Sequence, residues 1–148
     1  MQISKMVSLT IITLLFAVNV EVSMAGDIKR NDQELMINVG PDGCAKSVDL
    51  VSAVDNCADS AYANSCGKNG NECICMRSQK FVSWKVSNDS PFEIQFQGTR
   101  PFKRQCNLKS GDKAKLRCKI TVNDGDFNYD VIVKTCPGQV YDPKIVVR

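Results

Sequence analysis

LRCKITVNDGDFNYDVIV, residues 116–133, alternates apolar and polar side chains on both flanks of a polar turn. Leu116, Cys118, Ile120 and Val122 fall on one face, with Arg117, Lys119 and Thr121 on the other. That is the period of two of a half-buried strand. Asn123-Asp124-Gly125-Asp126 supplies a turn in which Gly125 can take positive φ, and Phe127, Tyr129, Val131 and Val133 resume on one face. The pattern predicts a hairpin.

Working outward, the same alternation recurs. Val82, Trp84 and Val86 alternate with Ser83, Lys85 and Ser87; the turn cluster Asn88-Asp89-Ser90-Pro91 follows, and then Phe92, Ile94 and Phe96 alternate with Glu93, Gln95 and Gln97. This pair also reads as a hairpin. Leu35, Ile37 and Val39 mark a first strand, and residues 144–148, entered through Pro143, a closing one. Six strands joined by short polar connections predict an all-β chain, an antiparallel β-sandwich or open barrel.

Residues 44–75 break the rhythm and hold five of the eight cysteines. Ser47 is placed to cap a helix whose face is Val51, Val54, Ala58 and Ala61, with Asp49 in its first turn. The alternative is a short strand over 46–52. The expectation is a disulfide-rich, partly helical insert between the first two strands.

The N-terminus has the form of an export signal. Lys5 precedes an uncharged, mainly apolar run over 6–20, and Ser23-Met24-Ala25 offers small residues at minus three and minus one. Cleavage after Ala25 leaves one domain, residues 26–148. The apolar run is short of the roughly 20 residues of a membrane span, so no span is expected after cleavage and the protein is expected to be secreted or periplasmic. Eight cysteines in that setting read as a disulfide framework.

Composition narrows the chemistry. The chain has no histidine, so it lacks the usual imidazole base and the commonest metal ligand. A net charge of +3 gives no footprint for nucleic acid. The densest basic run, Arg100, Lys103, Arg104, Lys109, Lys113, Lys115, Arg117 and Lys119, reads as a solvated face, with a polyanion patch as the alternative. Asp124, Asp126 and Asp130 gather at a turn without the spacing of an EF-hand loop. Asp55, Asp59 and Glu72 show no acid–base pairing, and no nucleophile motif occurs. No catalytic residue and no cofactor is assigned. Asn88-Asp89-Ser90 fits the N-glycosylation pattern, weakened by Pro91.

Cys73-Ile74-Cys75-Met76 is the sharpest local feature. Two thiolates and a thioether suit a soft ion such as copper(I), or the pair can exchange disulfides. The structural reading has the two cysteines pointing to opposite sides of a strand and bonding to different partners. Proximity suggests Cys57–Cys66 and Cys106–Cys118, with Cys44 and Cys136 taking Cys73 and Cys75 in either order.

The half from about Lys80 onward resembles cupredoxin-like β-sandwiches of exported proteins. The resemblance rests on the Trp84 strand, the strand Pro91-Phe92-Glu93-Ile94-Gln95-Phe96, and Tyr129-Asp130-Val131-Ile132-Val133 followed by Pro137-Gly138 and Ile145-Val146-Val147. It implies a cupredoxin/Ig-like sandwich. In that family the loop before the last strand carries copper ligands, typically cysteine, histidine and often methionine. Here Gln139 stands where such a histidine would, Val131 or Val133 where the cysteine would, and no methionine lies beyond Met76. The resemblance therefore implies an architecture and no copper site.

The sequence thus points to a small exported, non-catalytic binding or interaction module whose partner is an unidentified protein or glycan. Two alternatives stand beside it: a soft-metal or thiol-redox protein centred on Cys73, Cys75 and Met76, and a secreted inhibitor or effector.

Overall fold

Burial on one face of each alternating segment organises the chain into two packed sheets. The computed structural model describes residues 32–51, 57, 62, 66, 73–103 and 105–148. Among these, eight strands form: β1 (Gln33–Val39), β2 (Ala45–Leu50), β3 (Cys73–Met76), β4 (Phe81–Val86), β5 (Phe92–Phe96), β6 (Lys115–Lys119), β7 (Gly125–Val133) and β8 (Lys144–Val147). One sheet has the order β2-β1-β4-β6 and the other β3-β8-β7-β5. Over these residues the chain is β, apart from 3-10 geometry at Gly111–Lys113 and at Tyr62.

Both sheets are mixed, which corrects the antiparallel expectation. β1 runs parallel to β4, with Leu35 beside Trp84, and β3 runs parallel to β8, with Cys75 beside Val146. Alternation specifies which face is buried; it carries no information about a neighbour's direction. Parallel neighbours need a long crossover, and the long connection from β1 to β4 supplies one.

Neither expected hairpin forms. β4 pairs with β1 and β6, whereas β5 pairs with β7; likewise β6 pairs with β4, and β7 with β5 and β8. The connections 87–91 and 120–124 each carry the chain from one sheet to the other. Five residues reach about 17 Å when extended, enough to cross the roughly 10 Å between packed sheets. Gly125 opens β7 at φ 141°, where a Cβ would lie 2.6 Å from the Phe127 ring.

The insert is also more strand-like than expected. Ser47 lies inside β2, accepting a hydrogen bond from Asn38 Nδ2 at 3.0 Å, and does not cap a helix. β2 closes a hairpin on β1, and β3 adds an edge to the second sheet. The remainder of the expected helix, including Val54, Ala58 and Ala61, lies outside the described residues, as does the export signal over 1–25.

Between the sheets, Trp84 of β4 meets Tyr129 of β7 edge to face, with ring centroids 5.9 Å apart. Phe102 stands edge-on to Trp84 at 6.1 Å, and Phe96 packs against both Phe102 and Tyr129. Trp84 Nε1–H donates to Tyr129 Oη at 3.2 Å, so both polar atoms of this dry pair are satisfied. Burial pushes the Tyr129 phenol far above its ordinary range, and it stays protonated.

Candidate functional site

Three of the four residues of β3, Ile74, Cys75 and Met76, are buried, so both of its faces are covered. In a strand, residues two apart share a face. Ile74 and Met76 therefore point into the sandwich, where Met76 is fully buried in the main core, while Cys73 and Cys75 point together to the outside of the sheet. This corrects the expectation that the two cysteines face opposite ways. It also dissolves the trio with Met76, whose side chain faces away from both cysteines and into the core.

Outside the sheet the two cysteines meet the insert. Cys57 is joined to Cys75 and Cys66 to Cys73, and the four Sγ atoms lie within 4.8 Å of one another. Across the two bonds, Cys66 Sγ is 3.4 Å from Cys57 Sγ and 3.7 Å from Cys75 Sγ. Tyr62 and Val146 are buried against this group. The Tyr62 hydroxyl donates to the Met76 carbonyl at 3.0 Å, and burial raises its pKa. Lys144 stands beside Cys73 in the β3–β8 register, on the same face. Sulfur donors this close form a group that could hold a metal ion.

The other two bridges are separate from this group. Cys44–Cys136 ties the β1–β2 turn to the β7–β8 loop, and Cys106–Cys118 ties the segment before the 3-10 turn to β6. Cys57 thus pairs with Cys75 where sequence proximity suggested Cys66, and Cys44 pairs with Cys136 where each was expected to take Cys73 or Cys75. Nearness along the chain loses to nearness in the sheets.

At the end of the sandwich where β1 begins and β6 ends, a cleft of about 430 Å³ is lined by Gln79, Lys103, Gln105, Arg117, Lys119 and Thr121, with the Cys106–Cys118 bridge in its wall. β6 is an edge strand, and its alternation turns Lys115, Arg117 and Lys119 outward. Charged side chains on an edge discourage pairing with another chain. Arg117 is fixed by Asp32 (Nη2 to Oδ2, 2.7 Å) and lies over the Phe81 ring at 4.1 Å from its centroid. Among the described residues no carboxylate pairs with Lys103 or Lys119.

The fold disperses the rest of the basic run. Lys109 pairs with Glu93, Lys115 with Glu34, and Lys113 sits on the 3-10 turn at the far end of β6; Arg104 lies outside the described residues. Gln79 and Thr121 of the cleft come from separate connections, and no local sequence signal marks them.

The carboxylate cluster separates too. Asp124 and Asp126 pair with Arg148 at 3.2 and 2.7 Å, while Asp130 accepts from Gln97 Nε2 at 2.8 Å. Asp55, Asp59 and Glu72 lie outside the described residues.

The residues present do not fit a copper centre of the cupredoxin kind. The β7–β8 connection, 134–143, contains neither histidine nor methionine, and its Cys136 is spent on Cys44. No protein-family profile and no curated protein matches the chain. Among solved structures it is similar to a purple cupredoxin from Nitrosopumilus maritimus, at 14% identity over 79% of this chain and 100% of that one, TM-score 0.41. An amicyanin variant in its reduced copper(I) form at pH 4 is 9% identical over 82% of this chain and 88% of its own, TM-score 0.37. A second copper(I) amicyanin variant is 17% identical over 53% and 71%, TM-score 0.37. This is a weak resemblance to cupredoxins, and no activity is carried over from it.

Proposed function

We infer that this chain is a small exported, non-catalytic binding protein of the periplasm or extracellular space. Its partner is a protein or glycan that presents an anionic group to the Lys103–Arg117–Lys119 cleft. The observation that carries this reading is the pairing of two uncompensated ammonium groups with a guanidinium already oriented by Asp32. A pre-positioned guanidinium offers a planar fork to carboxylate or sulfate, and flanking lysines add charge without geometry. The wall beside them is cross-linked by Cys106–Cys118, so the cleft is presented on a stiff scaffold. The absence of histidine throughout the chain removes the usual general base and supports a non-enzymatic role.

The test is retention of the purified protein on immobilised sulfated and neutral glycans and on acidic peptides. Binding is expected on the anionic supports and should fall as salt rises. Lys103→Gln/Lys119→Gln should weaken it by about 0.5–1 kcal/mol per charge removed. Undiminished binding by the double variant, or a specific turnover by the unsubstituted protein, overturns the reading.

A further inference from the structure

We propose that Cys57, Cys66, Cys73 and Cys75 form a redox-gated metal site: two disulfides in one state, and in the other a tetrathiolate that holds one Zn2+ or similar borderline-soft divalent ion. The site is independent of the basic cleft and does not rest on the binding role proposed above.

Geometry carries the inference. Zinc bound by four thiolates at about 2.3 Å sits in a tetrahedron whose sulfur–sulfur edges are about 3.8 Å. The unbonded contacts from Cys66 Sγ, 3.4 Å to Cys57 and 3.7 Å to Cys75, are already near that edge, and all four sulfurs lie within 4.8 Å. The two bonded pairs have to part to reach that edge. Four sulfurs without nitrogen or oxygen donors select zinc-like or softer ions over calcium or magnesium.

The surroundings suit both states. β3 fixes the spacing of Cys73 and Cys75 by placing them two apart on one face of a paired strand. Tyr62 and Val146 exclude water from the inner side. Lys144 beside Cys73 supplies positive charge, which favours thiolate over thiol and offsets the net charge of a zinc tetrathiolate.

The interconversion balances. Two molecules of a dithiol reductant each give two electrons and two protons to one protein disulfide, yielding four protein thiols and two reductant disulfides. Zn2+ then binds four thiolates as four protons leave to solvent. The state populated follows the thiol–disulfide poise of the surroundings. Cys44–Cys136 and Cys106–Cys118, each remote from a second bridge, cannot form such a site and serve as internal controls.

The test uses the full chain with a phosphine reductant, which replaces the dithiol and leaves as its oxide. Co2+ is titrated in, and the expected result is a tetrahedral cobalt-thiolate spectrum that saturates at one equivalent and is lost when Zn2+ is added. In parallel, alkylation is mapped by mass spectrometry with and without Zn2+. Zn2+ should shield Cys57, Cys66, Cys73 and Cys75 and leave the other four cysteines as reactive as before. Cys73→Ser/Cys75→Ser should lose the cobalt spectrum, and Cys106→Ser/Cys118→Ser should keep it. Lack of a cobalt-thiolate band, or shielding spread evenly over all eight cysteines, overturns the site. The alkylation map is read on the unsubstituted chain, so a variant that fails to fold does not rescue a negative result.

Discussion

The space between the sheets and the outer face of β3 and β8 solve the same problem by different means. Between the sheets, residues from all eight strands bury one another around Trp84 and Tyr129. On the outer face, among the described residues, Tyr62, Cys75 and Val146 are buried, with Cys57, Cys66 and Cys73 around them. There two disulfides, Cys57–Cys75 and Cys66–Cys73, fasten the insert to β3. One strand, β3, serves both regions, giving Ile74 and Met76 to the first and Cys73 and Cys75 to the second. The sandwich is therefore expected to keep its fold when the two bridges to the insert are cut, and the insert is expected to lose its place.

Trp84→Ala should have the largest effect. Its ring contacts Phe102 and Tyr129, and its N–H bond to Tyr129 Oη would be lost. The substitution should cost about 3–5 kcal/mol, read as a lowered midpoint in urea unfolding with an unchanged slope. A cost below about 1 kcal/mol would place the protein's stability outside the sandwich and reverse the assignment of roles.

Cutting a bridge of the outer patch should act more locally. Cys57→Ser/Cys75→Ser opens a link of sequence separation 18, with an expected cost of up to about 3 kcal/mol. The loss should be local: in hydrogen exchange, amides of β3 should lose protection while those of β1, β4, β6 and β7 keep theirs. Equal loss across both regions would show that patch and core unfold as one unit. Cys44→Ser/Cys136→Ser is the contrasting variant. Its link spans a separation of 92 and ties the two sheets' loops together, so it should lower the global midpoint.

The same contrast explains what could be seen in the sequence. Residues such as Val82, Trp84 and Val86, or Phe127, Tyr129 and Val131, announce strands because a two-sheet core needs one dry face on each. Their partners were hidden: nothing in the alternation separates a hairpin from a crossing between sheets, so β4–β5 and β6–β7 were both read as hairpins. β3 shows no alternation, because a strand of four residues with two cysteines has no polar face. The bridges were misread for a related reason. Proximity in sequence gives Cys106 and Cys118, which the fold also joins, but the partners of Cys73 and Cys75 depend on the path of the insert over the outer face. The basic cleft was half legible, since the cations were visible in 100–119 while Gln79 and Thr121 reach the cleft only through the fold.

The smallest expected effect lies at the polar margin of the sandwich. Asp32 accepts from the Phe81 amide at 2.9 Å and from Arg117, joining the start of β1 to β4 and β6. The Phe81 amide, aided by Arg117, holds its carboxyl below the usual value of 3.8; Lys85, with Lys115, likewise lowers Glu34 below 4.5. A carboxylate whose pKa is lower in the folded chain than in the unfolded one adds stability above the unfolded value. That contribution is lost as the pH falls through the folded value. Stability should therefore be level above about pH 5 and decline below about pH 4, with the decline weakened by salt. The side chains of Asp32 and Glu34 are 46% and 35% exposed, so solvent screening limits each to less than about 1 kcal/mol. Asp32→Asn should remove part of the acid slope and leave the plateau within that amount. A larger loss on the plateau would mean that the β1–β4–β6 clasp, and not the dry core alone, sets the stability of the sandwich.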